Sequence, residues 1–184
     1  RRFGSEWRDT QRESVDVLSW YSTLNKRWYS GMNLNIGLSG ALDQVASVAK
    51  SLNIETGTSR SLLTRYPNDG SRMSTQGIFG VFQMPWRQHQ LSSGLRFSHS
   101  TLNAQFLPTE SYELPFDAVS MNNSALTGGI SSQWNSQGPW SAMTSISTGF
   151  RHPNVDDIGK VREKGGFVLV PNDSLRPEYL TSFE

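Results

Sequence analysis

His89, His99 and His152 are the side chains best suited to moving protons near neutral pH, and the chain has no Cys to act as nucleophile or metal ligand. The step His99-Ser100 has the composition of a hydrolytic dyad. Strand geometry forbids it, because adjacent residues of a strand point to opposite faces and cannot meet on one wall. Asp156-Asp157 offers two carboxylates, whereas Ca²⁺ takes six to eight oxygens and no EF-type spacing surrounds the pair. Gly128-Gly129 and Gly165-Gly166 fit no phosphate-loop pattern. The first pair lies inside a strand-like run and marks a bulge or bend. These residues predict no enzyme, no bound metal and no cofactor. The net charge of +1, from 17 Lys+Arg against 16 Asp+Glu, gives no electrostatic case for nucleic acid.

The elements that carry these residues are long alternating runs: Val15–Leu24, Trp28–Leu42, Gly77–Trp86, Leu91–His99, Ala125–Trp134 and Trp140–Phe150. Strands of soluble domains average about 5–6 residues, whereas a tilted strand needs about 9–11 to cross a bilayer. In the second run Met32, Leu34, Ile36 and Leu38 alternate with Asn33, Asn35, Gly37 and Ser39. In the fourth, Leu91, Leu95 and Phe97 oppose Ser92, Gly94, Arg96 and Ser98. The fifth sets Leu126, Ile130 and Trp134 against Thr127, Ser131 and Gln133, and the sixth sets Ile146 and Phe150 against Ser145, Ser147 and Gly149. The first run has no readable phase, and in the third Phe79 and Val81 fall opposite Ile78, Phe82 and Met84. Charge is nearly absent: Asp16 and Arg96 alone interrupt the six runs, and none occurs from Ala118 to Phe150. Faces of Asn, Ser, Thr, Gln and Gly suit a wet interior wall better than an open surface.

Connections alternate between short (Asn25–Arg27, Arg87–Gln90, Asn135–Pro139) and long (Asp43–Gln76, Ser100–Ser124, Arg151–Glu178). At the start of the first long one, Leu42, Val45, Ala46, Ala49 and Leu52 fit a helical turn or a continued strand equally. Trp28, Trp86, Trp134 and Trp140 flank the three short turns. Indole rings prefer the headgroup level of a bilayer, and short turns opposite long loops are the pattern of an outer-membrane barrel. No apolar run is long enough for a transmembrane helix, a test that barrel strands escape. The ends, RRFGSEWRDT and a strand-like pattern from Tyr179 to Glu184, read as those of an internal fragment.

Two boxes sharpen this reading. Ser147-Thr-Gly-Phe-Arg-His-Pro-Asn-Val-Asp-Asp157 followed by Pro171-Asn-Asp-Ser-Leu-Arg-Pro-Glu178 resembles the paired boxes of TonB-dependent outer-membrane receptors. Gly149, Phe150, Arg151, Pro153 and Asn154 match the first box; Leu175, Arg176, Pro177, Glu178 and Glu184 match the second. The departures are His152 at a position where a small residue is common, and Val170–Ser174 in place of Asn-Pro-Asn. Thr64–Ser71 and Leu91–Phe97 also look like receptor barrel segments. The resemblance implies an all-β, antiparallel transmembrane barrel of 22 strands, of which residues 1–184 supply six to seven toward its C-terminal part. The plug domain and TonB box fall outside the sequence.

It further implies TonB-energised uptake of a scarce solute (a siderophore, cofactor or oligomeric nutrient) across the outer membrane of a Gram-negative bacterium. The implied partners are the TonB complex acting through the plug, the lipid bilayer, a small or oligomeric extracellular ligand and, as a further candidate, a surface lipoprotein. Haem is disfavoured, since Asn154–Val170 holds no His, although His152 sits within the first box. Asn33, Asn35, Arg96, Gln133 and Arg151 are the expected lumen residues, facing ligand or plug. Arg65, Tyr66, Asp69, His152 and Asn154 are the expected extracellular-loop contacts. For Arg151 the nearby acids Asp156, Asp157 and Glu178 favour a clamp on the loop over direct ligand binding. A passive porin or structural barrel, and a soluble all-β binding module, are the alternatives.

Overall fold

The alternating runs fold as strands, most of them longer than the runs themselves. In chain order the elements are β1 (Trp7–Arg27), β2 (Asn33–Asn53), β3 (Ser59–Ser61), β4 (Ser71–Trp86), β5 (His89–Gln105), β6 (Ala118–Asn135) and β7 (Ser141–Arg151). Then come α1 (Val155–Gly159), β8 (Arg162–Lys164), β9 (Phe167–Leu169) and β10 (Glu178–Phe183). The computed structural model describes residues 4–62, 64–107, 117–159, 162–164, 167–169, 172 and 174–184. Gly165, Gly166, Val170, Pro171 and Asp173 of the sequence motifs lie outside them.

One antiparallel sheet runs β1-β2-β4-β5-β6-β7-β10, with β3 appended to β2, while β8 and β9 pair separately. Among the described residues β1 and β10 each pair on one side only, so the sheet is unclosed, as a sector of a larger barrel must be. Antiparallel neighbours joined in sequence order make this a meander, the topology that short turns and long loops dictate.

Four connections differ from expectation. β2 extends to Asn53 and β4 starts at Ser71, so the first long connection shrinks from Asp43–Gln76 to residues 54–70 and the ambiguous Leu42–Leu52 stretch is strand. β5 and β6 likewise run on to Gln105 and back to Ala118, which shortens the second. The first short turn is residues 28–32 rather than Asn25–Arg27, closed by Trp28 N–H donating to Met32 O (2.9 Å) with Gly31 in the left-handed region (φ 81°). His89, expected in a turn, opens β5 and pairs with both Trp86 and Trp134, leaving Arg87-Gln88 as a two-residue turn. Arg87 adopts φ 56°, the positive φ that a tight hairpin turn requires. An apolar period stops where one face ceases to be apolar, whereas the backbone ladder continues as long as strands can pair. A hydrophobic period therefore marks the apolar band and misses the rest.

The register supplies the missing phase. Leu24 pairs with Ile36, Leu18 with Leu42 and Trp20 with Gly40, so even residues of β1 share the apolar face of β2. That face continues through Ile78, Phe82, Leu95, Phe97, Leu126, Ile130 and Ile146. The opposite, inward face carries Asn33, Asn35, Arg96, Ser131, Gln133 and Ser145. Phe79 and Val81 lie on this inward face, which explains their broken alternation. The β6–β7 ladder runs to the Gly129–Ser147 pair and stops short of Gly128. Thr148 Oγ1 takes over there, accepting from Gly128 N–H (2.9 Å) and donating to Gly128 O (3.1 Å).

Candidate functional site

The inward face divides by height. At the long-loop end an apolar cluster of Met73, Leu102, Ala104, Val119 and Met121 is roofed by Phe106 and Val155, with Val45, Tyr66 and Leu175 packed alongside. Met73, Leu102 and Met121 form one ladder row on adjacent strands, so their side chains project together. Leu102 is 1% exposed. Burying a side chain of this size contributes about 2–3 kcal/mol, enough to hold loop segments down on the wall. A polar lumen wall thus ends in a small core beneath the loops, a feature invisible to a period-two test.

Charged and capping contacts fix the roof at its rim. Arg151 Nη2 donates to both oxygens of Asp157 (2.9 and 2.8 Å), and its Nη1 donates to Glu178 Oε1 at 3.4 Å. Asp157 is also the third helical residue of α1, where its Oδ2 accepts from Asn154 N–H (3.0 Å). Asn154 Oδ1 in turn accepts from Asp157 N–H (3.0 Å), a reciprocal capping box that starts the helix. Thus Arg151, Asn154, Asp157 and Glu178 of the paired boxes form one unit that binds the loop to the end of the wall. Tyr66 joins the two loops: its hydroxyl donates to Asp156 Oδ1 (2.7 Å), and Arg65 lies over its ring at 5.3 Å. The hydrogen bond to Asp156, then burial, raises the Tyr66 phenol above its usual range. His152 is half-buried against Phe150, with ring centroids 5.5 Å apart, and burial followed by the Arg151 charge lowers its imidazole.

The expected residues therefore do not converge on one locus. Asn154, His152, Arg65 and Tyr66 gather at the rim with Arg151. Asp69 lines a separate polar depression of about 390 Å³ with Ser14, Asp16, Gln44 and Arg72. Asn33 sits toward the short turns, accepting from Asn25 Nδ2 (2.8 Å) and donating to Gln83 Oε1 (3.4 Å). Gln133 bonds to Asn135 at the same end (3.3 Å). Asn35 keeps a buried side-chain oxygen without a hydrogen-bond partner among the described residues.

Halfway along the wall lies a group that the alternation alone could not assemble. Arg96 Nη2 donates to Ser39 Oγ (2.8 Å) and Nε donates to Ser98 Oγ (2.9 Å). Its guanidinium lies 5.8 Å from the centre of the Phe79 ring, which stacks on Tyr21 at 5.7 Å. The misphased Phe79 was the available signal. The histidines on the outward face, by contrast, make only local bonds: His99 to Ser124 Oγ and His89 to Ser132 Oγ, each 2.9 Å.

An apolar outward face with tryptophans at its turn end, and an inward face roofed by loops, have the build of a sector of a membrane-spanning β-barrel. The family model described as "TonB dependent receptor-like, beta-barrel" matches residues 2–184, and the chain belongs to that family. Among solved structures it is similar to one titled "Copper transporter OprC" (TM-score 0.75, 12% identity), covering 95% of this chain and 27% of that one. At that identity the likeness carries the fold, and the chain spans about a quarter of the neighbour's length. No curated protein matches the chain.

Proposed function

We propose that this chain is the C-terminal part of the barrel of an outer-membrane receptor that imports a scarce solute with energy relayed by TonB. The solute is a siderophore, a cofactor or an oligomeric nutrient; the barrel sits in the outer membrane of a Gram-negative bacterium. The observation that carries the reading is the inward face, mainly polar or small along the membrane band and then roofed by loops that Arg151, Asp157 and Tyr66 tie down. A passive pore needs an open wall, whereas a receptor needs an ordered mouth over a lumen that another domain fills. Arg65, Tyr66, His152 and Asn154 stand at that mouth as ligand contacts. Asn33, Asn35, Arg96 and Gln133 face the plug or the passing solute, with Arg151 clamping the loop. The plug contacts TonB, and a surface lipoprotein is a further partner.

The test is growth of cells expressing the complete gene on limiting candidate solutes, with and without TonB. Uptake that disappears with TonB supports the reading. Concentration-driven uptake indifferent to TonB would establish the passive porin instead.

A further inference from the structure

The Arg96 group has the construction of a binding site. A Cβ on Gly77 would stand 2.4 Å from Arg96 Nη2, and one on Gly37 would stand 2.2 Å from Phe79 Cζ. Both side chains therefore lie over glycines, and three neighbouring strands, β2, β4 and β5, meet at one cation. Two of the five guanidinium N–H groups are spent on Ser39 and Ser98. Among the described residues the ion pairs are those of Arg151, so Arg96 faces no carboxylate there. Beside it is a hollow of about 410 Å³ lined by Tyr21, Phe79, Val81, Gly94, Arg96 and Thr127.

We propose that this hollow binds an oxyanion, a carboxylate in the first instance, on the free edge of the Arg96 guanidinium. A planar, permanently charged fork held by two hydroxyls is suited to bidentate recognition of a carboxylate. The hollow exceeds a bare carboxylate, and its Tyr21–Phe79 side accepts an apolar or planar remainder of the bound group. The carboxylate is carried either by the polypeptide that fills the lumen or by an anionic solute in transit. This inference rests on the reading of the inward face as a barrel lumen.

The complete receptor in detergent tests it in two arms. In the first, citrate and inorganic phosphate are titrated against thermal unfolding of the wild type and of Arg96→Gln. A solute site predicts an anion-dependent rise in Tm whose half-saturating concentration increases about tenfold or more in the variant, as loss of a charge-assisted pair requires. In the second, Arg96→Lys is treated with a zero-length carbodiimide and digested for mass spectrometry. A carboxylate on the lumen polypeptide predicts an amide cross-link from position 96 to one acidic residue. Heat-modifiable gel migration checks that each variant forms its barrel, and the wild-type titration and Phe79→Leu, which keeps the cation, stand if Arg96→Gln does not fold. Absence of both the cross-link and any anion-dependent shift overturns the site. Lost heat-modifiability in the wild type would overturn the lumen reading itself.

Discussion

Leu95→Arg measures the depth of the outward face. His89 shares a ladder row with Trp86 and Trp134, and Leu95 is six residues further along β5. At about 3.3 Å per residue and a tilt of about 45°, Leu95 stands about 14 Å above the tryptophan level, near the middle of a hydrocarbon band about 25–30 Å thick. An Arg there should destabilise the folded barrel by about 2–4 kcal/mol, whereas Leu91→Arg, about 5 Å above the same level, should cost about 0–1 kcal/mol. Ser92→Arg, one residue on and facing inward, should stay in the lower range because its charge remains in a wet lumen. The assay is denaturant-induced unfolding of the complete receptor in lipid vesicles, following the loss of heat-modifiable migration. Equal penalties at Leu95, Leu91 and Ser92 would refute both the facing and the depth.

Three further outcomes follow from the roof and the rim. Leu102→Ala should destabilise the loop-end cluster by about 2–5 kcal/mol, read as earlier proteolysis of the connections while the membrane band stays intact. Arg151→Ala should expose residues 152–177 to protease while leaving ligand affinity mostly unchanged; lost affinity with unchanged protection would place Arg151 in the binding site instead. The lowered imidazole of His152 means that the unfolded loop binds a proton more readily than the folded one. Its packing therefore holds fully above about pH 6.5 and weakens as pH falls toward the lowered folded-state value, with loop proteolysis rising accordingly; His152→Phe should remove that dependence.

The facing of β2, β5, β6 and β7 was legible in the sequence because lipid rewards every second side chain, and the girdle because indole seeks one depth. β1 was not, since Val15, Val17, Leu18 and Trp20 place apolar residues on both faces, and only pairing with β2 decides. The extensions to Asn53 and Gln105 were missed because backbone pairing outside the bilayer leaves no apolar period. The clamp of Arg151 was legible because Asp157 is six residues away. The link from Tyr66 to Asp156 was not, spanning 90 residues, and neither was the Phe79–Arg96 group, whose places over Gly37 and Gly77 exist only once the register is fixed.

As proposed, this sheet is a barrel wall with lipid on one side and a wet lumen on the other. The chain has no Cys, so single cysteines can be placed along β5 of the complete receptor and spin-labelled in lipid vesicles, provided the remainder is also made Cys-free. High oxygen and low metal-chelate accessibility are expected at Leu91, Leu95 and Phe97, alternating with the reverse or with occlusion at Ser92, Gly94 and Ser98. Accessibility without a period of two, or water contact on both faces, would contradict it.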